Sequence, residues 1–177
     1  MTTLFKNLLV AACIAPRPVS SELARHLPGS VLIDRARAVV RQNIAGRFAE
    51  WDLELESYVG TSQDLVRYCF ETWWERIGST KASGLGKLML SEANNFPEIA
   101  EFYRHEVVEP GHQLIRRVLQ RGMDRGELRA LDLEHAVYLV LAPLMFLMFS
   151  QSTPALCIPN AERFSPQEYI RLQADNV

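Results

Sequence analysis

The strongest constraint on how this chain can fold is an almost wholly apolar stretch, residues 139–149. It contains Pro143 and falls well short of the ~20 residues that cross a bilayer, so we expect no membrane contact. A helix that is apolar on every side must be buried on every side, and a small helical domain cannot provide that cover alone. Because obligate homodimer interfaces resemble a core cut in half, the stretch predicts that a second copy of the chain covers it.

Apolar residues recur at steps of three and four along most of the chain, which predicts an all-α bundle of about six helices without strands. We expect helices at residues 36–58, 62–77, 81–94, 97–123, 133–149 and 166–177. Ser62, Asp132 and Ser165 are the expected N-caps, since Ser and Asp side chains accept hydrogen bonds from the first turn. Pro110 is expected to kink or split the fourth helix because it lacks an N–H.

Composition places the chain among soluble globular proteins of one domain. It has 177 residues, 48% of them hydrophobic, and a formal charge of -2, without the basic excess that nucleic-acid binders usually carry. Cys13, Cys69 and Cys157 are widely spaced and form no metal-binding or disulfide pattern, so we expect them to be buried and reduced. No convincing secretory signal is present, and a cytoplasmic location is expected.

The known catalytic motifs are missing from the sequence, and we expect neither enzymatic activity nor a cofactor. His105, Glu109 and His112 follow one another at steps of four and three, which makes them weak candidates for a metal site. The alternative is a solvated helix face, because the neighbouring residues are mostly charged and Pro110 disturbs the spacing.

Aromatic and methionine side chains offer a different kind of site. Trp73 and Trp74 lie on an apolar helix stripe, which is either plain core or one wall of a pocket for a small apolar or cationic molecule. Residues of suitable type for such a pocket are Phe70, Trp73, Trp74, Met89, Phe102, Tyr103 and Met145.

Three segments carry a family resemblance: residues 87–103, which include KLMLSEA and FPEIAEFY; residues 119–128, LQRGMDRGEL; and residues 165–172, SPQEYIRL. In this order they resemble the effector domain of TetR/AcrR-type transcriptional regulators, which implies a helical domain that senses a small lipophilic effector. The resemblance also implies a homodimer formed through the last two helices. The side chains that we expect in that contact are Leu139, Leu144, Leu147, Met148, Tyr169 and Leu172.

Such regulators bind operator DNA through an N-terminal helix-turn-helix, and the resemblance here covers residues 36–177. Residues 1–35 lack that pattern, so we interpret them as a shortened or replaced reader and expect operator DNA as a partner only where an intact reader exists. Two alternatives stay open. One is a complete repressor whose divergent recognition helix lies within residues 20–37, and the other is a helical metal-binding protein that uses His105, Glu109 and His112.

Overall fold

The computed structural model describes residues 29–80, 82–150, 158 and 160–177. The regular structure within these residues is helical. The predicted all-α class is confirmed, and no strand occurs within these ranges. The α-helices are α1 (Gly29–Asn43), α2 (Phe48–Ser57), α3 (Ser62–Trp73), α4 (Ser83–Glu92), α5 (Pro97–Tyr103), α6 (Glu109–Asp124), α7 (Leu133–Ser150) and α8 (Pro166–Asp175). Short 3-10 turns cover Ala45–Arg47 and Ala161–Arg163, and π-helical turns cover Trp74–Gly78 and Arg104–Val108. The expectations for Cys13, Cys157 and residues 1–28 lie outside the described residues.

The prediction of a single helix over residues 36–58 is wrong, because the chain turns between α1 and α2. Ile44 leaves the helical conformation (φ -127°, ψ -65°) and is buried, and the 3-10 turn Ala45–Arg47 follows. A Cβ on Gly46 would lie 3.0 Å from the carbonyl oxygen of Arg41, so the tight turn favours glycine here. The apolar residues do recur as predicted over residues 36–58, but this local geometry divides them between two helices.

The start of α3 also differs from the prediction, because its N-cap is Thr61 rather than Ser62. The Thr61 side chain accepts a hydrogen bond from the backbone N–H of Asp64 at 3.1 Å. Ser62 is the first helical residue and is fully buried, and its own N–H donates to Glu127 Oε2 at 2.7 Å. A carboxylate near a helix N-terminus is favoured by the helix dipole, so Glu127 completes this end of α3.

The fold divides into two compact units. The first comprises Met1–Phe48 with Lys81–Pro110, and the second comprises Ala49–Thr80 with Gly111–Val177. In the described part of the first unit, the core includes a cluster of Ala36, Leu88, Met89 and Ile99. The larger core of the second unit is built from α3, α6, α7 and α8, and its fully buried side chains include Phe70, Leu119, Leu147 and Ile170. The predicted boundary between residues 35 and 36 falls inside α1 and stays a prediction.

Candidate functional site

Four of the seven predicted effector-contacting residues lie together in the second unit. Phe70 and Trp74 are buried members of its core, and the half-buried Trp73 and Met145 pack against the same cluster. Helix α3 and its π-helical turn therefore pack with α7 at the residues that were predicted to form one wall of a pocket. Phe70 is only 1% exposed, so its first role is in the core.

The two tryptophans are held in place by the π-helical turn Trp74–Gly78. Its wide hydrogen bond joins the N–H of Ser79 to the carbonyl oxygen of Trp74 at 2.8 Å. The indole ring centroids of Trp73 and Trp74 are 6.4 Å apart. A Cβ on Gly78 would lie 2.7 Å from the Trp73 ring and 2.8 Å from the Trp74 ring, so a side chain at this position would clash with both indoles. The predicted helix over residues 62–77 ends just before Gly78, and its spacing gave no sign of this packing role.

A polar network borders the same region of the second unit. Glu54 accepts hydrogen bonds from the hydroxyl of Tyr68 at 2.9 Å and from both terminal nitrogens of Arg76, the shorter at 3.1 Å. The hydrogen bond to Glu54 raises the pKa of Tyr68. Burial raises the pKa of the Cys69 thiol to about 12, so this cysteine is a protonated packing residue at neutral pH.

The other three predicted residues lie in the first unit. Met89 is buried in its core, and Tyr103 packs against that core with a pKa raised to about 12 by burial. Phe102 is half-buried, and its ring faces the guanidinium groups of Arg37 and Arg41 at 5.5 Å and 5.1 Å from the ring centroid. The seven residues are therefore divided between the two units, and their spacing in the sequence could not show this division.

The weak metal candidates are not arranged as a metal site. Among the described residues, no group of three or more His, Cys, Asp or Glu side chains could hold a metal ion. Both ring nitrogens of His105 are engaged, with Glu109 Oε2 at 2.8 Å and Glu101 Oε1 at 2.8 Å. His112 packs edge-on against the ring of Tyr138, with centroids 5.0 Å apart. The geometry therefore contradicts the alternative of a metal-binding protein built on His105, Glu109 and His112.

Helix α7 has two apolar faces, and its own chain covers one of them. Leu144, Leu147 and Met148 are buried in the chain, so the prediction that they lie on a dimer surface is corrected for these three residues. Leu139 is 75% exposed and Leu172 on α8 is 47% exposed, while Tyr169 is half-buried. The exposed apolar residues of α7 form one stripe at steps of three and four, Leu139, Ala142, Phe146 and Phe149, with Tyr138 beside it; the other exposed residues of the helix, Glu134 and His135, lie in its first turn.

Comparison with known proteins identifies the family. Residues 60–156, more than half of the chain, match the family described as the tetracyclin repressor-like C-terminal domain. The chain belongs to this family. No curated protein and no solved structure matches the sequence.

Membership places the chain in a class of regulator domains that are not enzymes. The matched range begins just before α3 and extends past the end of α7, so it includes the Trp73–Trp74 pair and the exposed stripe. By length and composition alone, α7 could cross a membrane, with a mean hydropathy of 1.7 and 39% of the helix buried in the chain. Core helices of soluble proteins can have the same length and composition, so this one helix does not indicate a membrane protein.

Proposed function

We propose that this chain is a TetR-family transcriptional regulator that acts as a homodimer and responds to a small lipophilic effector. The observation that carries the proposal is the exposed apolar stripe of α7, Leu139, Ala142, Phe146 and Phe149. Fully burying a leucine or phenylalanine side chain that is otherwise exposed stabilises an association by about 1.5–3 kcal/mol. A continuous stripe of this kind is typical of surfaces that bind another protein.

The second copy of the chain is the occupant that fits the stripe best. Helix α8 packs beside α7, where Tyr169 lies 5.7 Å from Phe146 between ring centroids, and α8 also carries the exposed Leu172. The polar side chains near the start of α7 are already paired, since Arg116 binds Glu134 and Asp132 binds His135. A self-complementary apolar surface with a polar rim is what a two-fold homodimer requires.

Ala142→Glu tests this interface, because Ala142 is the small residue in the middle of the stripe and a buried unpaired carboxylate is strongly unfavourable. We expect sedimentation velocity to show a dimer for the parent and at least roughly tenfold weaker association for the variant. Leu53→Glu is the matched control, since Leu53 is 68% exposed in the same unit but lies on α2. A parent that is monomeric at micromolar concentration, or an Ala142→Glu variant that dimerises normally, would contradict the proposal.

Effector sensing is proposed for the Trp73–Trp74 region, whose two indoles belong to the same core cluster as Phe70 and Met145. Aromatic and methionine side chains with few polar groups suit an apolar small molecule. We expect tryptophan fluorescence to change when lipophilic compounds are added, and Trp73→Phe or Trp74→Phe to remove most of the change. Trp51→Phe is the control, because Trp51 is buried in α2 outside this cluster. A flat response of the parent across a diverse panel of compounds would contradict effector sensing at these tryptophans.

A further inference from the structure

His112 on α6 and Tyr138 on α7 form an aromatic contact at the edge of the exposed apolar stripe. Their ring centroids are 5.0 Å apart, and the ring planes meet at 84°. His112 is half-buried, whereas Tyr138 is 61% exposed. Tyr138 precedes Leu139 directly and lies one helical turn before Ala142, so it is continuous with the stripe. A surface that covers the stripe would therefore also cover Tyr138 and reduce the access of water to the histidine ring in contact with it.

The surroundings of His112 disfavour its protonated form. Burial, and then the positive charge of Arg116 one helical turn later on α6, lower the pKa of His112. From α7, the carboxylate of Glu134 reaches this place, but it forms an ion pair with Arg116. The ring of Tyr138 is the other group of α7 in contact with the imidazole, and it carries no formal negative charge to balance a proton.

The other two histidines in the described part of the chain have acidic partners. His105 binds Glu109 and a second glutamate in the preceding turn, and His135 binds Asp132 at 2.6 Å. Glu109 lies one turn before His112 on α6, but His105 and an arginine already occupy its carboxylate. Within the described residues, His112 forms no ion pair, so its protonation would add an unbalanced charge at the edge of the apolar surface.

Protonation of His112 and association of the chain are therefore coupled. When a second copy covers Tyr138, the imidazole becomes less hydrated, and a charged ring beside Arg116 becomes still less favourable. The pKa of His112 is then lower in the dimer than in the monomer. Because the pKa falls on association, dimerisation has its full strength above the monomer value and weakens as the pH falls below that value.

We propose that the His112–Tyr138 contact makes dimerisation through α7 sensitive to acid, with the dimer formed by chains whose His112 is neutral. This inference rests on the proposed homodimer and specifies how its association is regulated. It also extends the interface from the last two helices to α6. A two-fold dimer contains two such rings, so the effect of protonation on association counts twice.

Sedimentation velocity of the full chain at about pH 7.5 and about pH 5 tests the inference, because histidine titrates between these values. We expect the dissociation constant of the parent dimer to rise at least roughly tenfold at the lower pH. His112→Phe keeps an aromatic ring that cannot be protonated, so its dissociation constant should change far less. His112→Gln is a second neutral variant and should behave in the same way if phenylalanine disturbs the packing.

His135→Gln is the matched control, because His135 is 83% exposed on α7 and already has an acidic partner. This variant should keep the pH dependence of the parent. Circular dichroism at both pH values ensures that folded chains are compared.

The outcomes separate this inference from the function on which it rests. A parent dimer with equal dissociation constants at the two pH values, or a pH dependence that survives in both His112 variants, would overturn the inference and leave the homodimer intact. Loss of the pH dependence in His135→Gln would also overturn it, since the effect would then belong to another histidine. A parent that is monomeric at both pH values would contradict the homodimer and the inference together.

Discussion

Gly122 shows how a single residue in this structure is constrained by close packing. A Cβ at this position would lie 2.5 Å from Leu128 Cδ1 and 3.2 Å from Ser62 Cβ. We therefore expect Gly122→Ala to lower the free energy of unfolding by about 1–3 kcal/mol, as overpacking usually does. Gly84→Ala is the control: Gly84 has no atom within 4 Å of such a Cβ, and alanine there should stabilise helix α4 by roughly 0.5–1 kcal/mol. Urea denaturation followed by circular dichroism measures both changes, and equal stabilisation by the two substitutions would refute the packing argument.

The ionisation of His105 is a second prediction at the residue scale. Its hydrogen bonds to Glu109 and Glu101 raise its pKa, although Arg104 opposes the shift. Because the folded-state pKa is raised, the stabilisation from this contact is complete below about pH 6.5 and is lost as the pH rises through the raised value. NMR titration should give a pKa above the ordinary histidine value, and Glu109→Gln should lower it. Glu106→Gln should have little effect, because Glu106 pairs with Arg41, and an unshifted His105 in the parent would contradict the contact.

At the scale of helices, the N-cap of α3 gives a direct test of local stability. Thr61→Ala removes the acceptor of the Asp64 N–H and should cost ~1 kcal/mol of unfolding free energy. Thr61→Ser keeps a hydroxyl group and should cost much less, so the pair separates capping from loss of volume. Thermal denaturation of the two variants measures the difference, and identical losses would show that the cap hydrogen bond contributes nothing.

The same helix end shows what the sequence could and could not predict. A Thr-Ser pair before an apolar run predicts a helix start, but either hydroxyl can cap, so the pattern alone could not choose between Thr61 and Ser62. The choice depends on Glu127, which is distant in sequence and accepts the Ser62 N–H. Ser165, by contrast, has no second hydroxyl residue next to it in the sequence and was predicted correctly as the N-cap of α8, where its side chain accepts a hydrogen bond from the N–H of Glu168. Helix existence was therefore predictable, whereas a boundary that depends on a remote partner was not.

At the scale of the whole molecule, dimerisation should be visible in thermal stability. Binding between folded chains stabilises them by mass action, so the melting temperature of a dimer rises with protein concentration. We expect this rise for the parent over a roughly hundredfold concentration range, and a much smaller rise for Ala142→Glu. Differential scanning calorimetry measures both, and a parent melting temperature that does not depend on concentration would argue against a dimer.

The candidate site could be predicted from the sequence only in its residue types. Spacing along one helix linked Phe70, Trp73 and Trp74, and the structure keeps these three in one cluster. Spacing could not show that Met89 belongs to the core of the other unit, because that assignment depends on contacts between helices distant in sequence. It also could not divide α7 into inner and outer faces, since both faces are apolar. Leu147 is buried and Phe149 is exposed because of where α3, α6 and α8 pack against α7.

Pro143 lies within α7 and has no N–H, so the carbonyl oxygen of Leu139, four residues earlier, receives no helical hydrogen bond from it. Leu139 is also the most exposed leucine described in the chain. A surface that covers this part of the helix can therefore offer that oxygen a hydrogen-bond donor or an enclosed water molecule. Because a buried backbone acceptor without a partner is unfavourable, this otherwise apolar surface favours a polar contact at that position.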